Sequence, residues 1–136
     1  MSSTEADAYI TGLNKKVRPI AQAVHDTLIS LGCTSYVKTI YIGYDLNGEM
    51  VAASYGHGNH VEGALAVAED HPDERLQDAS HLTWRTLPLA LNLTSTTSVK
   101  QTRSLFEEAC SRVETKAHDV HRDNDYFVER KRGRRV

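Results

Sequence analysis

Residues 36–67 read YVKTIYIGYDLNGEMVAASYGHGNHVEGALAV, and the fold follows from where this stretch turns. Asn47-Gly48 lies between two alternating runs. Asn-Gly is a strong hairpin signal because both central residues of a type I′ turn take positive φ. With a two-residue loop, Leu46 faces Glu49, and pairing continues through Tyr44–Val51, Ile42–Ala53, Ile40–Tyr55 and Lys38–His57. A second turn at Gly58-Asn59 pairs His57 with His60 and Tyr55 with Glu62. Opposed residues of antiparallel strands point to one face. This register makes an apolar floor of Ile42, Tyr44, Val51, Ala53, Ala64 and Ala66, with Lys38, Tyr55, His57, His60 and Glu62 at one end. A slip of one residue at the second turn would move His60 and Glu62 to the other face.

Helical patterns flank these three strands. Thr4 and Asp7 form a capping-box-like start, and Ala6, Ile10, Leu13 and Val17 recur at helical spacing, ending near Lys15 or Lys16. Pro19 suits the first turn of a second helix. Ile20, Val24, Leu28 and Leu31 make its stripe, and Gly32 supplies a left-handed stop. His25 lies off that stripe and reads as a solvated or half-buried structural residue.

After the meander, Glu69 to Arg75 is an acidic, Pro-containing loop, with one helical turn through Leu76 and Ala79. His71 reads as solvated there. His81 to Leu87 alternates like a fourth strand, with Leu89 to Leu93 as its continuation. Pro88 between them argues for an edge or a bulge. Ser98 and Gln101 form a second capping box. Behind it Val99, Thr102, Phe106, Ala109, Val113 and Val120 share a face of a long helix. The expected fold is α+β: two N-terminal helices, a three- to four-stranded antiparallel meander, and a C-terminal helix packed on the sheet. One domain spans 1–121, and 122–136 is a polar basic tail.

Bulk properties narrow the function classes. A chain of 136 residues with 40% hydrophobic and 25% charged residues can bury an ordinary core. The net charge of −2 gives no general pull toward nucleic acid or anionic membrane. The N-terminus shows neither the basic region nor the apolar run of a secretory signal, and no stretch has the length of a membrane span. Cys33 and Cys110 lie far apart in the sequence and in no metal spacing, as two reduced thiols of a cytoplasmic protein would.

Val17-Arg18-Pro19-Ile20 opening a helix, Tyr41-Ile42-Gly43-Tyr44 on a strand, and His57 to Glu62 at a turn give the chain a pattern that resembles the small bacterial YdhG-like domains. The resemblance spans residues 4 to 117. Members are mostly uncharacterised and have been compared with frataxin-type iron chaperones. Iron handling in such relatives implies an acidic surface; here Asp70, Asp73, Glu74 and Asp78 are interspersed with His71 and Arg75.

The densest chemistry lies at His57-Gly58-Asn59-His60-Val61-Glu62. Two imidazoles and a carboxylate could ligate a divalent metal such as iron or zinc, or move protons. Lys38 and Tyr55 could orient an anionic group beside them. The spacing matches no zinc signature, and a solvated hairpin rim is the plain alternative. Trp84 beside Arg85 could wall a ligand pocket, though a core indole with an outward-snorkelling arginine is the plainer reading of the pair. If His81 and Trp84 reach the turn at His57 to His60, the two segments make one pocket. His118 and His121, with Asp119, Asp123 and Asp125, fall where the last helix gives way to the tail, and read as a solvated helix end. The cations Arg130, Lys131, Arg132, Arg134 and Arg135 could touch phosphates but lack an aromatic platform, so nucleic acid ranks last. No Gly-rich phosphate loop and no nucleophile elbow is present.

Three functions follow in order. The first is a small cytoplasmic domain binding a small molecule or a protein partner at the sheet rim, through Lys38, Tyr55, His57, His60, Glu62, Trp84 and Arg85. The second is a metal handler or enzyme using His57, His60 and Glu62 as ligands or acid–base groups. The third is a nucleic-acid accessory protein acting through the tail. An exposed edge near Pro88 would suit pairing with a second copy as a homodimer.

Overall fold

The computed structural model describes residues 2–38, 40–82 and 86–115. Its elements run α1 (Ser2–Thr11), α2 (Arg18–Ser30), β1 (Thr34–Val37), β2 (Ile42–Leu46), β3 (Glu49–Gly56), β4 (Val61–Leu65), β5 (Leu76–Asp78), β6 (Leu89–Leu93), α3 (Thr96–Gln101) and α4 (Arg103–Glu114). The strands form one antiparallel sheet in the order β1-β2-β3-β4-β6-β5. The α+β arrangement is the expected one, with two helices before the sheet and the C-terminal helical segment packed on it. The sheet has six strands because two short ones, β1 and β5, extend the meander at its two edges. No helix among the described residues is long and apolar enough to cross a membrane.

The first helix begins and ends earlier than Thr4, Asp7 and the lysines suggest. Gly12 closes it, and the Asn14 side chain accepts from the Lys16 amide at 2.8 Å, a local turn that competes with further helix. Pro19 does occupy the first turn of α2. Gly32 takes the left-handed φ of 96° that stops the chain after it. The buried face of α2 is Ile20, Ala21, Val24, His25 and Leu28. His25 is therefore a core residue, 5% exposed, neither solvated nor half-buried, and its Nδ1 lies 3.0 Å from the Tyr44 hydroxyl on β2. That contact sets α2 on the Tyr44 face of the sheet.

Asn47 and Gly48 take φ of 57° and 81°, as a type I′ turn requires, and Leu46 faces Glu49. Beyond Asp45↔Met50 the register shifts. Tyr44 pairs with Ala52, Gly43 with Ala53 and Ile42 with Ser54, leaving Val51 as the extra residue of a β-bulge. The pairs Tyr44–Val51, Ile42–Ala53, Ile40–Tyr55 and Lys38–His57 are corrected accordingly. The single apolar floor divides in two. Ile42, Tyr44, Ala52 and Leu65 share the α2 side, whereas Gly43, Ala53, Ala64 and Ala90 line the opposite one. The expected first strand is also cut. Lys38 donates its amide to the Tyr41 carbonyl at 2.9 Å, so the chain turns between β1 and β2 and leaves Ile40 63% exposed.

Residues 69–79 are not wholly loop: Leu76–Asp78 form β5, paired with β6 instead of making a helical turn. His81 and Leu82 sit in turn and bend, Thr86 is also in a bend, and the strand lies at Leu89–Leu93. Pro88 immediately precedes it, where no ladder N–H is needed. β6 lies between β4 and β5, so the edge expected near Pro88 is covered. The capping box is Ser95 with Ser98, one turn earlier than Ser98 with Gln101. The long helix is interrupted at Thr102, whose hydroxyl donates back to the Ser98 carbonyl at 2.8 Å. Val120 lies outside the described residues.

Candidate functional site

All five residues of β4 are buried, and the second of them is Glu62. Among the described residues it is the one carboxylate in the buried set. A buried carboxylate needs charged or hydrogen-bonding partners to offset its lost hydration. Two histidines supply them. His57 Nε2 lies 3.1 Å from Oε1, and His81 Nε2 lies 2.6 Å from Oε2. The Glu62 side chain is 11% exposed, while His57 and His81 are 43% and 57% exposed. The carboxylate thus sits beneath two imidazoles that reach solvent.

Both positions have local causes. The second turn falls where expected: Tyr55 pairs with Glu62, Gly56 with Val61, and the His57 amide donates to the His60 carbonyl at 2.9 Å. Tyr55 and Glu62 consequently share the sheet face opposite Tyr44. His81 arrives from the β5–β6 connection, where the Ala79 amide donates to the Pro88 carbonyl at 2.9 Å and the Leu82 amide to the Ala79 carbonyl at 2.9 Å. The joining of His81 to the 57–60 turn, conditional on sequence alone, is realised.

Rings continue the cluster along the sheet. The His57 and His60 rings stack with centroids 4.5 Å apart, Tyr55 and His57 are 6.5 Å apart and nearly parallel, and Tyr41 and Tyr55 are 5.5 Å apart. His60 Nδ1 lies 2.8 Å from Asn59 Oδ1. Burial, with the neighbouring His57, holds His60 below the ordinary imidazole range. Burial, reinforced by Tyr41 and Glu62, pushes the Tyr55 hydroxyl up to about 12, so it stays protonated.

Lys38 is not part of this group. Its Nζ lies 5.9 Å from the Tyr36 ring, and no hydrogen bond or ion pair joins it to Glu62 or His57. The turn after β1 takes Lys38 away from β3, and the bulge gives Tyr55 the neighbour Tyr41 in place of Ile40. Tyr41 is the member that sequence reasoning missed; a one-residue bulge leaves no periodic trace. Trp84, Arg85, His118, His121 and the C-terminal cations lie outside the described residues.

As metal ligands, His57, His60 and Glu62 are poorly arranged. His57 Nε2 points at the carboxylate within hydrogen-bonding distance, and His60 Nδ1 points at Asn59. Among the described residues no three His, Cys, Asp or Glu side chains converge as a metal cage. The acidic segment is likewise occupied locally. Asp73 forks onto Arg75 at 2.7 and 3.0 Å, and the guanidinium holds its carboxyl well below the usual range. Asp78 accepts from the Ser80 hydroxyl and amide. His71, expected to be solvated, bridges to α4 instead: Nδ1 accepts from the Asp73 amide at 3.2 Å, so Nε2 carries the proton toward Glu108 Oε1 at 2.9 Å.

Comparison of the chain with protein-family models, with curated proteins and with solved structures finds no match.

Proposed function

We propose that the chain is a small binding domain whose ligand carries an acidic group and a planar ring, received at the Glu62 cluster. The supporting observation is the double anchoring of Glu62, both of whose oxygens hold an exposed imidazole through Nε2. A carboxylate that accepts at Nε2 fixes ring orientation and tautomer and leaves Nδ1 as the second polar atom. When both rings are protonated, two positive charges stand against one negative, and each Nδ1–H becomes a donor for an acidic group. The His60 ring, which ends the Tyr55–His57–His60 row, offers a flat surface for stacking.

The reading extends to kinship and place. Kinship with the YdhG-like domains rests on the sequence resemblance alone. A cytoplasmic location is supported by two thiols that are free. The same imidazole–carboxylate pairing is also the base-and-orienter half of many catalytic sites, which keeps acid–base chemistry as the second reading.

Calorimetric titration with phenyl phosphate tests the proposal, with inorganic phosphate and phenol as the two partial probes. Saturable binding of phenyl phosphate is expected, weaker for either part, and about tenfold weaker in His81→Ala, as loss of one charge-assisted hydrogen bond implies. Absence of binding, or an affinity unchanged in both His57→Ala and His81→Ala, would overturn it.

A further inference from the structure

We propose that Cys33 and Cys110 are a reversible disulfide site, closed by a hydroperoxide, that cross-links α4 to the junction between α2 and β1. The two residues are 77 apart in sequence, yet their sulfurs lie 3.7 Å from each other, and both thiols are free. Each is held by its own element. The Cys33 amide donates to the Leu28 carbonyl at 3.1 Å just after the left-handed Gly32. Cys110 lies on the buried face of α4 with Phe106, Ala109 and Val113. A disulfide bond is about 2 Å long, so the two sulfurs, already in contact, need approach by less than about 2 Å to close it. Exposures of 5% and 6% shield both thiols from other protein thiols, so the oxidant that closes the pair must be a small molecule.

The chemistry has an order. Either thiol can donate across the 3.7 Å contact; once Cys110 is ionised, a Cys33 thiol donating to it holds it below the ordinary range, while the same bond and burial push Cys33 up, so Cys110 loses its proton first. The Cys110 thiolate attacks one peroxide oxygen, the O–O bond breaks, and an alkoxide leaves to be protonated as the alcohol. The sulfenic acid formed on Cys110 is then attacked by the Cys33 sulfur. The S–S bond forms, the S–O bond breaks, and hydroxide leaves as water with the proton of Cys33. Two electrons pass from the two sulfurs to the peroxide.

The test uses the intact native chain treated with tert-butyl hydroperoxide, alkylated and weighed without reductant. Expected are a mass loss of two hydrogens, one peptide pair joined through Cys33 and Cys110, reversal by dithiothreitol, and a raised melting temperature of the oxidised form. The product should be absent in Cys110→Ala. Because that variant could lose stability by itself, the wild-type mass and peptide map decide. Thiols that remain alkylatable, cross-links between chains, or oxygen addition without hydrogen loss would each overturn the proposal.

Discussion

Glu62 Oε2 and His81 Nε2 lie 2.6 Å apart, although 19 residues and an entire edge strand separate them along the chain. The contact ties the β5–β6 connection to the middle of the sheet. With His57 on the other oxygen, it turns a carboxylate that would be costly to bury into the anchor of a surface group.

Glu62→Gln keeps the side-chain volume but lets only one amide atom accept. The variant is expected to lose about 1.5 kcal/mol, the low end for hydrogen bonds to a charged group, since both partners reach solvent. Urea unfolding measures this. A midpoint equal to that of wild type would mean that the two contacts contribute nothing to the folded state.

Tyr44 is fully buried and its hydroxyl faces His25 in the core. Tyr44→Phe leaves that imidazole nitrogen without its partner, at a cost of about 1–3 kcal/mol for an unsatisfied buried group. Thermal unfolding of the variant checks it, and a neutral result would show that the two rings merely pack.

Burial holds His25 below its ordinary value of 6.5, with Asp26 and Asp7 opposing the shift. The unfolded chain therefore takes up the proton first as pH falls. This stability is fully present above 6.5 and is lost as pH drops through the window beneath it. His60, shifted the same way, adds to the slope. Asp73 and Asp78, held below 3.8, give way only at more acid pH. Unfolding free energy measured across the imidazole range should fall toward acid, and the slope should flatten in His25→Gln. An equal slope in the variant would remove His25 from this role.

Gly43 lies under the Tyr36 ring, and a methyl group there would come within 2.3 Å of the ring carbon bearing the hydroxyl. Gly43→Ala should destabilise the sheet by about 1–3 kcal/mol through overpacking. Adding Tyr36→Ala should cost less than the two separate losses summed, a coupling that a double-mutant cycle reads directly. Strict additivity would place the strain elsewhere.

The sequence disclosed those parts of the site that depend on turn chemistry. Asn47-Gly48 fixed one hairpin and Gly58-Asn59 the next, so Tyr55, His57, His60 and Glu62 came together as their pairing required. What escaped depends on single-residue events without a period. The bulge at Val51 exchanged Ile40 for Tyr41 beside Tyr55, and the turn after β1 removed Lys38 from the cluster. The partners of His71 and of Cys33 lie in α4, and such long-range neighbours leave no local mark.

The central claim is that Glu62 fixes His57 and His81 through Nε2. Long-range proton–nitrogen spectra of the imidazoles, recorded where histidine is neutral, test it most directly. In the wild type both rings should carry their proton on Nε2 alone. In Glu62→Gln both should become mixtures of tautomers, while His71, held between the Asp73 amide and Glu108, stays unchanged. A proton on Nδ1 of His57 or His81, or spectra indifferent to the substitution, would contradict the account.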